Sequence, residues 1–159
     1  MRMETETVFE FDENVICTDV EAESAEEALR KVAAALMEAG YVKESYIEAI
    51  VKREGSFPTG LPTGENGVAI PHTDICHVVS PMIAIAILKH PVNFKNMAEH
   101  TENVAVRILF MLAMNNCENQ VKLLSAFMGN LQDQELLMNL ANADNPERVA
   151  ELMRGRIRF

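Results

Sequence analysis

The chain has 159 residues, 48% of them hydrophobic, which is enough for one domain with a buried core and too few for two ordinary domains. Lysine and arginine number 14 against 24 aspartates and glutamates, so the formal net charge is -10. This balance argues against nucleic-acid binding, because a phosphate backbone is recognised by clustered positive side chains. We therefore expect one domain over residues 1–159, with residues 1–9 as a flexible arm.

The cysteines and the hydropathy pattern predict a cytoplasmic protein. Cys17, Cys76 and Cys117 form an odd set without paired spacing, which favours a reducing compartment over a disulfide scaffold. The longest apolar run, residues 82–88, is far shorter than the roughly 20 residues of a membrane-spanning helix. The acidic N-terminus also lacks the apolar core of a signal peptide.

The first part of the chain predicts a short strand and then two helices. Residues 15–17 are apolar and typical of a strand. Ser24 and Glu27 have the spacing of a capping box at a helix start, and Gly40 is suited to end that helix. A second helix is predicted over residues 43–54. Its expected buried stripe consists of Tyr46, Ile47, Ile50 and Val51.

The next segment predicts a long loop that leads into a strand. Residues 56–67 are dense in turn-forming residues and show no periodicity, and a loop of this length is expected to be functional. Residues 68–70 form a short apolar strand, which Pro71 stops immediately before His72.

The remainder predicts two buried strands and three helices. The strands cover residues 82–88 and 104–114, and Arg107 is the only charge in the second. Asp133 and Asn145 are placed to cap the last two helices. The preceding helix is expected to bury a face made of Val121, Leu124, Met128 and Leu131. Helices before and after the strands predict an α/β sandwich with helices on both faces of the sheet.

His72 is the main candidate for chemistry, since ligand crevices form at strand ends in open α/β sheets. Nearby in sequence, Thr59 and Thr73 offer hydroxyls and Arg53 a guanidinium, which are groups that bind phosphoryl oxygens. No nucleotide-binding glycine motif is present. The pattern therefore favours phosphoryl relay through an imidazole, which can attack phosphorus and later leave. The alternative is an ordinary surface histidine at a strand end.

Two other chemistries stay open at this point. His72, Cys76 and His77 form the pattern H-x-x-x-C-H, which offers metal-ligating atoms, although the fourth ligand of a structural zinc site is not evident. Cys76 or Cys117 is a second candidate nucleophile, but a lone cysteine is more often a small core residue. We expect neither a metal nor another cofactor.

Two segments resemble the type-2 IIA domains of the sugar phosphotransferase system, the mannitol and fructose family. Residues 53–61 read REGSFPTGL and residues 67–73 read GVAIPHT, and the later VKLL at 121–124 is also similar to the family. The resemblance spans roughly residues 10–153. It implies an α/β sandwich around a small mixed sheet, with His72 as the phosphorylated residue and Arg53 as the conserved arginine of the family.

The resemblance also implies the partners of the reaction. The implied phosphoryl donor is the phosphocarrier protein HPr in its phosphohistidine form. The implied acceptor is a separate, sugar-specific IIB component, which serves a membrane IIC permease. Arg53, Thr59 and Thr73 are then expected to offset charge on the phosphoryl oxygens in transit. A regulatory IIA-like protein that signals by phosphorylation-dependent binding is the alternative, because the motifs are shared by both kinds.

One position departs from the mannitol and fructose pattern. Those members carry a second histidine just before the residues that match 121–124, where this chain has Gln120. Galactitol-type IIA proteins are similar in having glutamine there and a histidine five residues after the active one, which is His77 here. The resemblance thus implies a galactitol-like branch acting on a hexitol or related polyol. His77 and Gln120 are the candidate auxiliary residues, and an ordinary surface histidine is the alternative for His77.

A docking face is expected around His72, because donor and acceptor must both reach it. Such a face should be shallow and largely apolar. The candidates that flank the histidine in sequence are Phe57, Leu61, Ile75 and Val78. Buried loop anchors are the alternative for each of them.

Overall fold

The computed structural model describes residues 9–157, which form five strands and five α-helices. The strands are β1 (Ile16–Val20), β2 (Gly60–Leu61), β3 (Gly67–Ala69), β4 (Met82–Lys95) and β5 (Asn103–Ala113). The helices are α1 (Ala25–Glu38), α2 (Ser45–Ser56), α3 (Cys117–Asn130), α4 (Gln134–Ala141) and α5 (Pro146–Met153). Within residues 9–157 every helix is too short or too polar to cross a membrane.

The strands form one mixed sheet in the order β1-β4-β5-β3-β2. The outer pairs β1–β4 and β3–β5 are parallel, whereas the central pair β4–β5 and the edge pair β2–β3 are antiparallel. The two long antiparallel strands therefore form the centre of the sheet. The short strands that lead to and from the glycine-rich loop lie on one side of this centre.

Both faces of the sheet are covered, which confirms the predicted sandwich. Along β4, Ala84, Ala86 and Leu88 pack into the core beneath α1 and α2. The alternating Ile83, Ile85 and Ile87 pack into the opposite core with α3, α4 and α5. Because neighbouring side chains of a strand point to opposite faces, a strand covered on both sides must be apolar throughout. This explains the uninterrupted apolar run in the sequence.

β4 is longer than the predicted strand 82–88. It continues to Lys95, with a break in its register against β5 between Ile87 and Val92. Pro91 lies within this break, where a ladder hydrogen bond is not required. Beyond it, buried Val92 and Phe94 alternate with exposed neighbours. The irregularity at the proline concealed this half of the strand from sequence analysis.

The predicted loop 56–67 contains β2, which pairs with β3 through Gly60↔Ala69 and Leu61↔Val68. The glycines that flank this loop are required by close backbone packing. A Cβ at Gly60 would lie 2.6 Å from the carbonyl oxygen of Lys95, and one at Gly67 would lie 2.3 Å from that of Ala105. Both distances are shorter than those of real Cβ contacts. A side chain at either position would therefore prevent the close backbone packing at this edge of the sheet.

The helix starts follow their predicted caps. Ser24 Oγ accepts from the Glu27 amide at 3.1 Å, although Glu27 accepts in return from the amide of Glu23 and not from that of Ser24. Asp133 and Asn145 cap α4 and α5 as predicted, accepting from backbone amides in the first turn. α2 is displaced by two residues at each end from the predicted 43–54, and it includes Gly55.

The predicted buried face of α3 is partly wrong. Leu131 is buried and Leu124 partly so, but Val121 and Met128 are 65% and 42% exposed. The side chains that enter the core are Leu123 and Phe127, with the Phe127 ring 4.8 Å from that of Phe110. Both sets have helical spacing, and the contact with β5 selects the second.

The predicted arm 1–9 lies almost wholly outside the described residues. Its last residue, Phe9, donates its backbone amide to the carbonyl of Ile157 at 2.9 Å. The Phe9 ring packs at the edge of the core beneath α3, α4 and α5. Phe9 thus contacts the domain, and the flexible arm over residues 1–9 stays a prediction.

Candidate functional site

His72 lies just beyond the end of β3, at one end of the sheet. The chain leaves β3 at Ala69 and continues beside β5, where His72 pairs with Leu112 and the Leu112 amide donates to the Pro71 carbonyl at 3.0 Å. This backbone pairing fixes the direction in which the histidine leaves the sheet. His72 is half-buried, so it is held firmly and still reaches the surface.

A hydrogen bond and partial burial determine the tautomer and the charge of the His72 imidazole. Its Nδ1 lies 2.9 Å from the carbonyl oxygen of Ile70. A carbonyl cannot donate, so Nδ1 carries the proton and the lone pair of the neutral ring is on Nε2. Burial lowers the pKa of His72, the Ile70 hydrogen bond opposes this shift, and the charge of Arg53 adds to it. The lowered pKa favours the neutral ring at pH 7, whose lone pair is on Nε2.

Arg53 reaches the site from the last turn of α2. Its guanidinium lies over the ring of Phe57, with Cζ 4.9 Å from the ring centroid. The Asp74 carboxylate lies 4.0 Å from Nη1, at the outer limit of an ion pair. The positive charge of Arg53 contributes to the lowered pKa of His72. A guanidinium held by an aromatic face and only weakly paired is suited to receive an anionic group.

The two threonines have different surroundings from those expected. Thr73 is buried directly after His72. Thr59 is also buried, but its hydroxyl donates to the carboxylate of Glu54. A hydroxyl has one proton, so Thr59 in this arrangement does not offer it to a phosphoryl oxygen. The Thr59 hydroxyl is thus engaged with Glu54, and its expected role toward phosphoryl oxygens stays a prediction.

Glu54 is the site residue that sequence analysis missed. Both carboxylate oxygens face Thr59, whose backbone amide donates to Oε2 at 2.9 Å. Burial raises the pKa of Glu54 to about 7, and the hydrogen bonds from Thr59 partly oppose the rise. A signal was present, since Glu54 lies four residues after Ile50 and so continues the buried stripe of α2.

Comparison with known proteins supplies the family. The model of the phosphoenolpyruvate-dependent sugar phosphotransferase system EIIA 2 domain matches residues 10–155. The galactitol-specific EIIA component of Escherichia coli (strain K12) is 30% identical over 114 residues, which cover 72% of this chain and 75% of that protein. The chain belongs to this IIA family. It is accordingly a phosphotransferase protein of a sugar phosphotransferase system.

Solved structures of IIA proteins share the fold. The crystal structure of the mannitol IIA from Escherichia coli has a TM-score of 0.77 at 24% identity, covering 91% of this chain and 99% of that one. A complex of IIA and phosphorylated IIB for mannitol from the same organism has a TM-score of 0.72 at 26% identity, covering 89% of this chain and 94% of that one. The expected α/β sandwich of the IIA family is confirmed.

The two auxiliary candidates of this IIA domain lie on different elements. His77 ends a short 3₁₀ helix (Ile75–His77), and its Nδ1 lies 2.8 Å from Ser45 Oγ at the start of α2. Gln120 is in the first turn of α3, which follows the end of β5 beside which His72 lies. The topology thus brings Gln120 to the same end of the sheet as His72, whereas the hydrogen bond of His77 ties it to α2.

The four residues predicted to form a docking face differ in their exposure. Phe57 is 60% exposed, and Leu61 and Ile75 are partly exposed. Val78 is only 8% exposed and pairs with Val42, so it belongs to the core of the IIA domain and not to a docking face. Sequence adjacency to His72 did not distinguish the two cases.

The pattern H-x-x-x-C-H is not assembled as a metal site. Among residues 9–157, no three side chains of histidine, cysteine, aspartate and glutamate are grouped closely enough to hold a metal ion. The Nδ1 atoms of His72 and His77 instead face Ile70 O and Ser45 Oγ, respectively. Cys76 and Cys117 are both exposed thiols.

Proposed function

We propose that this IIA domain accepts a phosphoryl group on Nε2 of His72 and passes it to a sugar-specific IIB component. The observation that carries the proposal is the Nδ1–Ile70 hydrogen bond, since it leaves the lone pair on Nε2. Half-burial supports this assignment by keeping the ring neutral. An uncharged imidazole with an accessible nitrogen is the form that attacks phosphorus.

In the first step, Nε2 forms a bond to phosphorus as the bond to the donor breaks, and the donor keeps that electron pair. The proton stays on Nδ1 throughout, where it is hydrogen-bonded to the Ile70 carbonyl, so the ring needs no separate base. Arg53 stabilises the charge on the oxygens during transfer. In the second step the acceptor attacks, and the electron pair of the N–P bond returns to Nε2.

The donor and the acceptor follow from family membership. We assign phospho-HPr as the donor and a separate IIB protein as the acceptor, with a membrane IIC permease downstream. The IIA–IIB complex known for the mannitol relative supports the second assignment. A polyol of the galactitol type is our proposed sugar class. It is supported by the galactitol-specific relative and by Gln120, which stands just before residues 121–124. We place the reaction in the cytoplasm.

A reconstituted relay tests the proposal. Incubation with phosphoenolpyruvate, enzyme I and HPr should label the protein with acid-labile, base-stable phosphate, which is then chased by a purified IIB protein. His72→Ala should abolish labelling, while His90→Ala, which changes an exposed histidine, should keep it. Label that persists in His72→Ala would overturn the assignment.

The choice of IIB protein tests the sugar class. Purified galactitol-, mannitol- and fructose-type IIB proteins are offered to the labelled domain at equal concentration. We expect the galactitol type to remove label fastest. Equal or faster transfer to another type would reject the polyol assignment. Retention of label with all three would favour a regulatory role for the same His72.

A further inference from the structure

Glu54 is half-buried and directly follows Arg53 in sequence, but it has no part in the proposed transfer chemistry. Both residues lie in the last turn of α2. Consecutive side chains of a helix point about 100° apart, so Arg53 and Glu54 can contact different neighbours. Arg53 contacts Phe57 and Asp74, whereas the Glu54 carboxylate accepts hydrogen bonds from Thr59.

The contact between Glu54 and Thr59 is a two-point clasp. The Thr59 amide donates to Oε2 at 2.9 Å, and the Thr59 hydroxyl donates to the carboxylate as well. A carboxylate can accept both donors, while a glutamine has only one oxygen acceptor and adds two donors. Because Thr59 is 4% exposed, water does not readily replace either bond.

The clasp is connected to the imidazole through the backbone. The Thr59 carbonyl accepts from the Ile70 amide at 3.4 Å, and the Ile70 carbonyl accepts from Nδ1 of His72 at 2.9 Å. The next residue, Gly60, pairs with Ala69 in the β2–β3 ladder. A shift of Thr59 would therefore move the end of β3 and the carbonyl that selects the tautomer of His72.

We propose that Glu54 is a positioning residue for His72, acting through Thr59 and the Ile70 backbone. The proposal rests on the proposed function of His72. A merely local alternative exists, in which the clasp only closes the turn after α2. The two differ in their consequences, since only positioning alters the protonation pattern of the His72 ring and the rate of transfer.

The experiment compares Glu54→Gln and Thr59→Val with Thr59→Ser, which keeps the hydroxyl. Glu48→Gln is the matched control, because it changes an exposed carboxylate of the same helix that pairs with Arg30. The readouts are the ¹⁵N chemical shifts of the His72 ring and the single-turnover rate of transfer from phospho-HPr, both at pH 8. At this pH the carboxyl group of Glu54 is largely ionised.

In Glu54→Gln and Thr59→Val, we expect mixed His72 tautomers and transfer slower by roughly 10- to 100-fold, the range that displacement of a reacting group by about 1 Å can cost. Thr59→Ser and Glu48→Gln should match the unmodified protein in both readouts. Folded variants with unchanged ring shifts and rates would overturn the proposal. If Glu54→Gln does not fold, the Thr59→Val and Thr59→Ser pair decides on the same criteria.

The ring shifts also separate this proposal from the function on which it rests. They report the tautomer of His72 in the unphosphorylated protein, whatever that protein does. A failure of His72 to accept phosphate in the unmodified domain would reject the proposed function, even with the ring shifts as expected. Normal labelling with unchanged shifts in both variants would reject only the role of Glu54.

Discussion

The two helices that border the His72 end of the sheet are built differently. α2 is joined to this region by polar side chains: Tyr46 donates to the Leu112 carbonyl, Ser45 contacts His77 and Glu54 holds Thr59. Between residues 9 and 157, no side-chain hydrogen bond joins α3 to the segment that carries His72. Instead, α3 presents Val121 to solvent beside Gln120.

This difference indicates a division of labour. A relay histidine must be held in one orientation, and it must also be reached by large partners. The α2 side supplies the hydrogen bonds that restrict this region, and the bond from Tyr46 to Leu112 is buried. The α3 side exposes Val121 and Met128, which take no part in these hydrogen bonds. Exposed apolar side chains of this kind are typical of protein interfaces.

The largest expected effect on stability is for a substitution in α3. It tests which face of this helix packs into the core. Leu123 is fully buried, so Leu123→Ala should lower the free energy of unfolding by about 2–5 kcal/mol. Val121→Ala, two residues away, should change it by less than about 0.5 kcal/mol. Urea unfolding followed by circular dichroism measures both. Equal losses of unfolding free energy in the two variants would show that Val121 belongs to the core. The exposed α3 surface contrasted with α2 would then not exist.

Val121→Asp tests whether α3 contributes to partner binding. If α3 presents a docking surface, this variant should raise the KM for its partner protein with little change in kcat, because it weakens binding alone. The exposed Met138→Asp on α4 is the control. No change in KM with either HPr or IIB would place the docking surface elsewhere.

Arg53→Lys tests the charge that the α2 side delivers. Lysine keeps the charge but not the planar, multiple donors of the guanidinium. We expect transfer to slow by roughly 10- to 1000-fold, the range for losing one donor that stabilises the transition state. Rapid-quench measurement of labelling gives the rate, and the unfolding curve should stay unchanged. An unchanged rate would reduce Arg53 to a cation at a helix C-terminus.

Much of the fold could be predicted because local rules agree with the tertiary structure. The caps at Ser24, Asp133 and Asn145 are local hydrogen bonds that need no distant partner. His72 could be located because the strand and the proline before it are themselves a structural signal. Position in the fold and direction of a side chain were thus predictable where neighbours in sequence determine them.

The predictions from sequence are wrong where contacts between distant parts of the chain determine which side chains are buried. The stripes that contain Val121 and Leu123 are equally helical, and packing against β5 makes the choice. Val78 looks like a loop residue until Val42 pairs with it. Glu54 is the strongest case, since its spacing from Ile50 places it on the buried stripe of α2 but does not indicate that Thr59 will bind its carboxylate. Sequence alone therefore predicts the nucleophile better than what holds it.

Glu54→Gln also has a consequence for stability that depends on pH. The pKa of Glu54 is about 7 in the folded chain against 4.5 for an ordinary glutamate. The folded state thus binds more protons between these values, and its stability falls as the pH rises through this window. The difference corresponds to about 3 kcal/mol, which a glutamine does not lose. Arg53, Glu26 and Lys95 are the other charged groups adjacent to Glu54 or to the cavity that it lines.

Unfolding at pH 4.5 and at pH 8 measures this effect as a double difference. A constant loss from the weakened clasp with Thr59 cancels between the two conditions. Relative to the unmodified protein, Glu54→Gln should gain about 3 kcal/mol on going from the lower to the higher pH. The Glu48→Gln control should show no such gain. Parallel curves for Glu54→Gln and the unmodified protein would mean that Glu54 is not held in a dry environment.

The smallest effect is expected for Tyr46→Phe, which removes a single atom from the α2 side. The hydroxyl of Tyr46 is buried and donates to the Leu112 carbonyl at 2.9 Å, and Leu112 is the residue that pairs with His72. Its loss leaves a buried carbonyl without this donor, which should cost about 1–2 kcal/mol of unfolding free energy. Transfer should slow by less than about tenfold, because the backbone pairing remains.

Tyr41→Phe is the matched control for this last change. The Tyr41 hydroxyl also donates to a protein oxygen, on Asp12, but neither residue belongs to the segments that surround His72. If α2 orients the histidine through β5, Tyr46→Phe should slow transfer and Tyr41→Phe should not, even where the two lose similar stability. Equal transfer rates in both variants would mean that the Tyr46 hydrogen bond stabilises the fold without orienting His72. The orientation of His72 by α2 would then depend on the contacts of Glu54 with Thr59 and of Ser45 with His77.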